Sequence, residues 1–200
     1  RPGAARRCTR VSVGGKEVGG GAGRPEGNGG DPLAEEIAMM GQAIPLVQGL
    51  TDVPLCIDSS VIEALEAGLA AYEGKALVNS VTGEDERLEA ILPIVARHGA
   101  AVIGLANAED IPMDAARRVE VAKKIVSVAG DHGIPPEDVI IDLLAMPIGA
   151  EPRAVTLFLA TLDLLRDEPG VNTTCGAVPT PFGLPGLHPP GRARLRGAHG

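Results

Sequence analysis

Tryptophan is absent from this chain of 200 residues, and Tyr72, Phe158 and Phe182 are its only aromatic side chains. A core must therefore be assembled from Leu, Ile, Val and Ala. The same scarcity excludes the exposed ring platforms that stack single-stranded nucleic acid. Cysteine is scarce too. Cys8, Cys56 and Cys175 are too few and too scattered for a disulfide framework, and they offer no CxxC spacing for zinc. No metal site of the protein's own is expected, and the cysteine usage points to a reducing, cytoplasmic setting. No apolar run reaches the roughly 18 residues of a membrane span. The charged N-terminal stretch lacks the apolar segment of a secretory signal.

What is present is a hydrophobic fraction of 44%, enough at this length for one globular domain. The net charge of −8 is unevenly spread. Residues 1–30 carry six basic and two acidic side chains and residues 183–200 carry three arginines and no acid, which leaves −15 for the segment between. Residues 1–31 hold ten glycines, and residues 183–200 are rich in Gly, Pro and Arg. Both read as coil-forming tails around a packed body at 32–182. Val11-Ser12-Val13 is the strand candidate in the first tail. The few tail arginines have no folded frame around them, so a nucleic-acid partner is not expected.

Within the body, apolar runs and amphipathic stretches alternate. Residues 33–49 read as a helix with a kink or break at Pro45. Residues 53–58 are a short apolar run ending in an acid, as a buried strand would be. Ser60 with Glu63 three residues on has the capping-box pattern for a helix reaching Tyr72. Strands at 76–79, 101–105, 138–142 and 171–174 then alternate with helices at 83–98, 113–132 and 152–166. Gly99 and Gly133 follow two of the helices, and Pro135 and Pro136 lie just beyond the second.

Short strands alternating with longer helices predict βα units and a parallel sheet. A (β/α)8 barrel and a doubly wound sheet both satisfy that pattern. No GxGxxG lies between a strand and a helix, which removes the main sign of a nucleotide-binding sheet. Four strands carry a polar residue read as their end: Asp58, Asn79, Asp142 and Asn172. In a barrel such ends converge on one mouth, where the active site lies. Each alone reads as a cap or loop anchor. Together they form a polar ring of two carboxylates and two amides. A carboxylate can accept two parallel bonds from a ring N–H and its neighbouring amino group. An amide can read a carbonyl beside a ring N–H.

Several blocks then carry a resemblance. LCIDSS (55–60), ALVNS (76–80), HGAAVIGLA (98–106), GIPPEDVIIDLL (133–144) and NTTCGA (172–177), closed by FGLP (182–185), resemble the methyltetrahydrofolate:corrinoid/iron-sulfur protein methyltransferases. The pterin-binding domain of cobalamin-dependent methionine synthase is of the same kind. The resemblance covers about two thirds of the chain. It implies a TIM barrel of the pterin-binding type, with Asp58, Asn79 and Asp142 holding the pterin; Asn107, just past the strand at 101–105 and facing the same mouth, and Gly176 are further candidates for ligand contact. It also implies methyltetrahydrofolate as methyl donor and a corrinoid, or cobalamin, carried by a partner as acceptor.

The chain departs from the family pattern in three places. Between NTTCGA and FGLP stands Val178-Pro179-Thr180-Pro181, so the family's catalytic asparagine falls on Pro179. Leu143 replaces a common proline. The first strand and the last two βα units of the family are not evident, so the barrel is expected to be incomplete at both ends. Self-association as a homodimer, a marginal fold, or a shifted reading frame at each end are the readings of that shortfall. Resequencing the encoding DNA tests the last of these.

Other groups have plainer readings. His98 and His132 precede glycines at helix ends, where a cation suits the dipole. Cys56 and Cys175 read as structural thiols. Asn172 is either a loop anchor or a site residue. Three rival functions stand beside methyl transfer. Dihydropteroate synthase would need cations near the later strand ends, an aldolase would need a lysine at a strand end where Lys75 precedes its strand, and an inert pterin-binding fragment would fit Pro179.

Overall fold

The computed structural model describes residues 11–14, 32–146, 151–166 and 170–175. They form six strands and five helices: β1 (Val11–Gly14), α1 (Pro32–Gln48), β2 (Leu55–Asp58), α2 (Ile62–Ala71), β3 (Leu77–Val81), α3 (Asp85–Arg97), β4 (Ala101–Leu105), α4 (Ala115–Asp131), β5 (Val139–Asp142), α5 (Ala154–Leu165) and β6 (Asn172–Thr174). A short 3-10 turn, Pro136–Asp138, leads into β5.

Every strand pairs in parallel with the next, and the sheet order is β1-β2-β3-β4-β5-β6. That order settles the choice of architecture. A doubly wound sheet reverses its strand order at a switch point, whereas barrel strands add in sequence. The fold is α/β, and its described strands make six successive staves of a barrel.

Register and burial assign the two faces. Leu55, Ile57, Val78, Val102, Val139 and Ile141 are buried toward the helices, with Leu88, Ile91, Leu92 and Ile125 packed over them. The core is aliphatic, as the dearth of rings required. Gly104 shows how closely the helix layer sits: a Cβ there would lie 2.8 Å from Ile125 Cγ2 and 3.2 Å from Ile141 Cδ1. Gly104→Val is accordingly expected to destabilise the fold by about 1–3 kcal/mol through overpacking. Thermal melts check this, and an unchanged Tm would mean that α4 yields freely.

The helix ends follow local chemistry. Asp114 caps α4, its carboxylate accepting from the Arg117 N–H at 3.0 Å. His98 and His132 stand at the C-caps of α3 and α4, followed by Gly99 and Gly133 at φ +60° and +80°.

Four local expectations need correction. The capping box at Ser60 does not form. The cap of α2 is Val61, and Ser59 does the tethering, accepting from the Val61 N–H at 3.1 Å and donating to Glu36 at 2.7 Å. Pro45 lies inside α1, which runs through it to Gln48 without a break. A strand expected to be missing is present: β1 aligns Val11 with Leu55 and Gly14 with Asp58. Finally, Asn172 begins β6 and does not end it.

Candidate functional site

Alternation along the strands places Cys56 and Asp58, Leu77 and Asn79, Ala101, Ile103 and Leu105, and Ile140 and Asp142 on the sheet face turned away from the helices. On this face the aliphatic residues of β4 and β5 are only half-buried, unlike their neighbours on the helix side. They make an apolar floor. The polar residues stand along its rim at the C-terminal ends of the strands.

Asp58 and Asn79 are register partners, and Asn79 Nδ2 donates to Asp58 Oδ2 at 2.8 Å. Asn79 Oδ1 is left as an acceptor. Asp142 lies two strand spacings away, about 10 Å across the sheet, with Ile103 and Leu105 on the floor between. Its Oδ1 accepts from the Leu144 N–H at 2.8 Å. Burial pushes the Asp142 carboxyl above its ordinary pKa, while the Leu144 N–H and the nearby Arg118 charge pull it down.

Arg118 escaped the sequence reading. It is 0% exposed, a cation in the core of α4. Nε donates to Pro112 O at 2.8 Å, and Nη1 donates to Leu143 O at 2.6 Å and to Leu144 O at 3.0 Å. Nη2 is buried without a partner among the described residues. Burial lowers its pKa and Asp142 raises it. A sequence signal did exist. Arg118 falls in line with Ala122, Ile125 and Ala129 at helical spacing, where an apolar residue belongs.

The remaining candidates divide. Asn107 follows β4; its Nδ2 donates to Ala108 O at 3.3 Å and its Oδ1 is buried and unpartnered among the described residues. Asn172 sits at the opposite rim, donating to Glu137 O at 2.9 Å, so it serves as an anchor and leaves the ring of four. Lys75 also belongs to that far rim, paired with Asp138 at 2.5 Å. Burial, then the Asp142 charge, raises the Cys175 thiol pKa, which suits an inert thiol. Gly176 and Pro179 lie outside the described residues.

A concavity of about 580 Å³ opens between the β3–α3 and β4–α4 loops, lined by Gly83, Asp85, Ala108, Asp110, Arg117 and Lys124. Its two cations are already engaged: Lys124 donates to Gly83 O at 2.7 Å and pairs with Asp85 at 2.8 Å, and Arg117 lies 3.8 Å from Asp110. We place the site over the rim carboxylates and regard this crevice as solvated surface. Chemically, two carboxylates and an amide around an apolar floor suit a flat ring with N–H donors on its edge.

Comparison with known proteins gives the family. A family model described as pterin binding enzyme matches residues 17–196. The chain is 29% identical over 154 residues to methylcorrinoid:tetrahydrofolate methyltransferase of Eubacterium limosum, covering 75% of this chain and 57% of that protein. It is 31% identical over 144 residues to methionine synthase of Mycobacterium tuberculosis, covering 66% of this chain and 12% of that protein. The methionine synthase of Mycobacterium leprae is similar at 29% identity, over 68% of this chain and 12% of that protein. The chain thus spans little more than half of the first relative and a small part of the other two. No helix among the described residues is long and apolar enough to cross a membrane.

Proposed function

The chain belongs to the pterin binding enzyme family, and from that membership we propose that it moves a methyl group between N5 of tetrahydrofolate and the cobalt of a corrinoid carried by a partner protein. Methyltetrahydrofolate is the donor in the direction we favour. Two relatives named for methyl transfer and for methionine synthesis support the reading. The observation that carries it is the bonded Asp58–Asn79 pair standing with Asp142 on one sheet face at one rim.

In this reading Asp142 accepts the ring N–H and the adjacent amino group of the pterin. Asp58 fixes the Asn79 amide through Nδ2, which leaves Asn79 Oδ1 to accept from the ring. Asn107 lines the same mouth, and Gly176 is assigned to the pocket from the sequence alone. The floor of Ile103, Leu105 and Ile140 supports the ring face and limits water. The tertiary amine at N5 leaves readily only once it gains positive character, so the protein's task is positioning and electrostatic activation. The partner's corrinoid supplies the nucleophilic cobalt. Self-association as a homodimer belongs to the same proposal, because α1 exposes Met39 and Leu46, Leu50 just beyond it is exposed as well, and α5 exposes Val155, Leu159 and Leu164.

The test is a calorimetric titration with methyltetrahydrofolate followed by a transfer assay with free cob(I)alamin, run also in reverse from methylcobalamin. Binding and transfer are expected. Preference for a dihydropterin pyrophosphate would favour a dihydropteroate synthase-like enzyme. Absence of any folate binding would sink the proposal. Proline at position 179 has neither a side-chain donor nor an N–H to offer N5. Pro179→Asn is therefore expected to raise the transfer rate by about tenfold or more, within the range of a restored hydrogen-bond donor that acts in the transition state, while leaving Kd nearly unchanged. No gain would place the rate limit elsewhere.

A further inference from the structure

Arg118 is a buried cation whose three hydrogen bonds all go to backbone carbonyls at the rim that carries Asp142. For stability alone this is a poor choice, since a well-packed apolar side chain usually serves as well or better than a buried charge. One bond holds Pro112, ahead of α4. The other two hold Leu143 and Leu144, the two residues directly after β5.

Leu144 has φ +58° and is the one non-glycine with positive φ among the described residues. That left-handed conformation is disfavoured for a residue with a Cβ. It is also what turns the Leu144 N–H back onto Asp142 Oδ1 at 2.8 Å. The peptide groups on either side of Leu144 are thus both held: its N–H by the carboxylate, its carbonyl by the guanidinium.

We propose that Arg118 is a positioning residue, clamping the turn after β5 in its left-handed form so that the Leu144 N–H fixes the Asp142 carboxylate with Oδ2 free for the ligand. Among the described residues Oδ2 carries no hydrogen bond. The inference rests on the reading of Asp142 as the pterin acceptor. It adds the device that orients that acceptor, drawn from the first turn of α4.

The experiment compares methyltetrahydrofolate affinity in the full chain for wild type, Arg118→Met, Arg118→Lys and each combined with Leu144→Gly or Leu144→Ala. Arg118→Met is expected to weaken binding by about tenfold or more, as for loss of a hydrogen bond to a charged group. Leu144→Gly is expected to restore most of that loss, because glycine takes the left-handed conformation unaided. Leu144→Ala is expected to restore none. A merely structural arginine would not produce a rescue specific to glycine.

If Arg118→Met does not fold, Arg118→Lys carries the test, with a smaller loss and the same glycine-specific rescue. Wild-type affinity in the folded Arg118 variants, or equal rescue by alanine and glycine, overturns the inference while leaving the site intact. Unchanged affinity in Asp142→Ala overturns the site reading, and this inference with it.

Discussion

Asp142→Ala is expected to weaken methyltetrahydrofolate binding by at least about a hundredfold. The lost carboxylate would have accepted two bonds, each worth about 1.5–3 kcal/mol when one partner is charged, and every 1.4 kcal/mol is tenfold in affinity. Asp142→Asn should lose binding nearly as completely while making the fold more stable at neutral pH. The sign follows from linkage. Burial raises the pKa of Asp142 in the folded protein even against the pull of the Leu144 N–H and Arg118. A carboxyl whose folded pKa exceeds its unfolded value contributes stability below the unfolded pKa and loses it as pH rises through the folded one. At pH 7 the charge is therefore a net cost, and the amide removes it. The Tm advantage of the Asn variant should narrow as pH falls. An Asn variant that binds like wild type and melts lower at pH 7 would contradict the assignment on both counts.

Asn79→Asp is expected to damage folding and binding together, and to do so reversibly with pH. In the native protein the Asn79 amide donates to Asp58 Oδ2 at 2.8 Å. A second carboxylate in that place exchanges a hydrogen bond for like-charge contact. Two unit charges about 4 Å apart interact by about 4 kcal/mol at an effective dielectric near 20. At pH 8 the variant should melt well below wild type and bind folate at least about a hundredfold more weakly. At pH 5 one proton shared between the two carboxylates should recover much of the Tm. An uncharged control, Asn79→Ser, should show no such pH dependence. If both variants melt alike at pH 8 and pH 5, the contact does not govern this rim.

The sequence carried the order of the elements well. The reason is physical: apolar runs too short for helices, alternating with amphipathic stretches closed by glycine, have few other solutions. It was weaker where two cues overlap within a residue or two. Ser59 and Ser60 both offer an oxygen ahead of α2, and the neighbour of the expected one makes the bonds because Glu36 of α1 reaches it. Asn172 looked like a strand end because β6 is only Asn172–Thr174, so a small slip in position exchanges one rim for the other. The Val11-Ser12-Val13 candidate was legible as a strand but not as the first stave of the barrel, because the glycine-rich residues after it gave no sign of its pairing with β2.

In the candidate site, the shared rim of Asp58, Asn79 and Asp142 was legible because an acid or amide closing an apolar strand is conspicuous. Arg118 was not, since an Arg-Arg pair on a polar-looking helix reads as surface. Only the periodicity of its small apolar companions betrays it. The left-handed Leu144 was invisible for a different reason. Nothing in a leucine announces that conformation, which is imposed from outside by the guanidinium and the carboxylate.

The rim opposite the candidate site is fastened by its own contacts, Lys75 to Asp138 and Asn172 to the Glu137 carbonyl. These join the starts of β3, β5 and β6 and touch none of the residues assigned to ligand. That geometry makes the far end a practical handle: a fluorophore or surface tether attached near Glu137 would sit a full strand length from the mouth. Reporters for the proposed corrinoid docking and folate binding can be mounted there without touching the residues assigned to them.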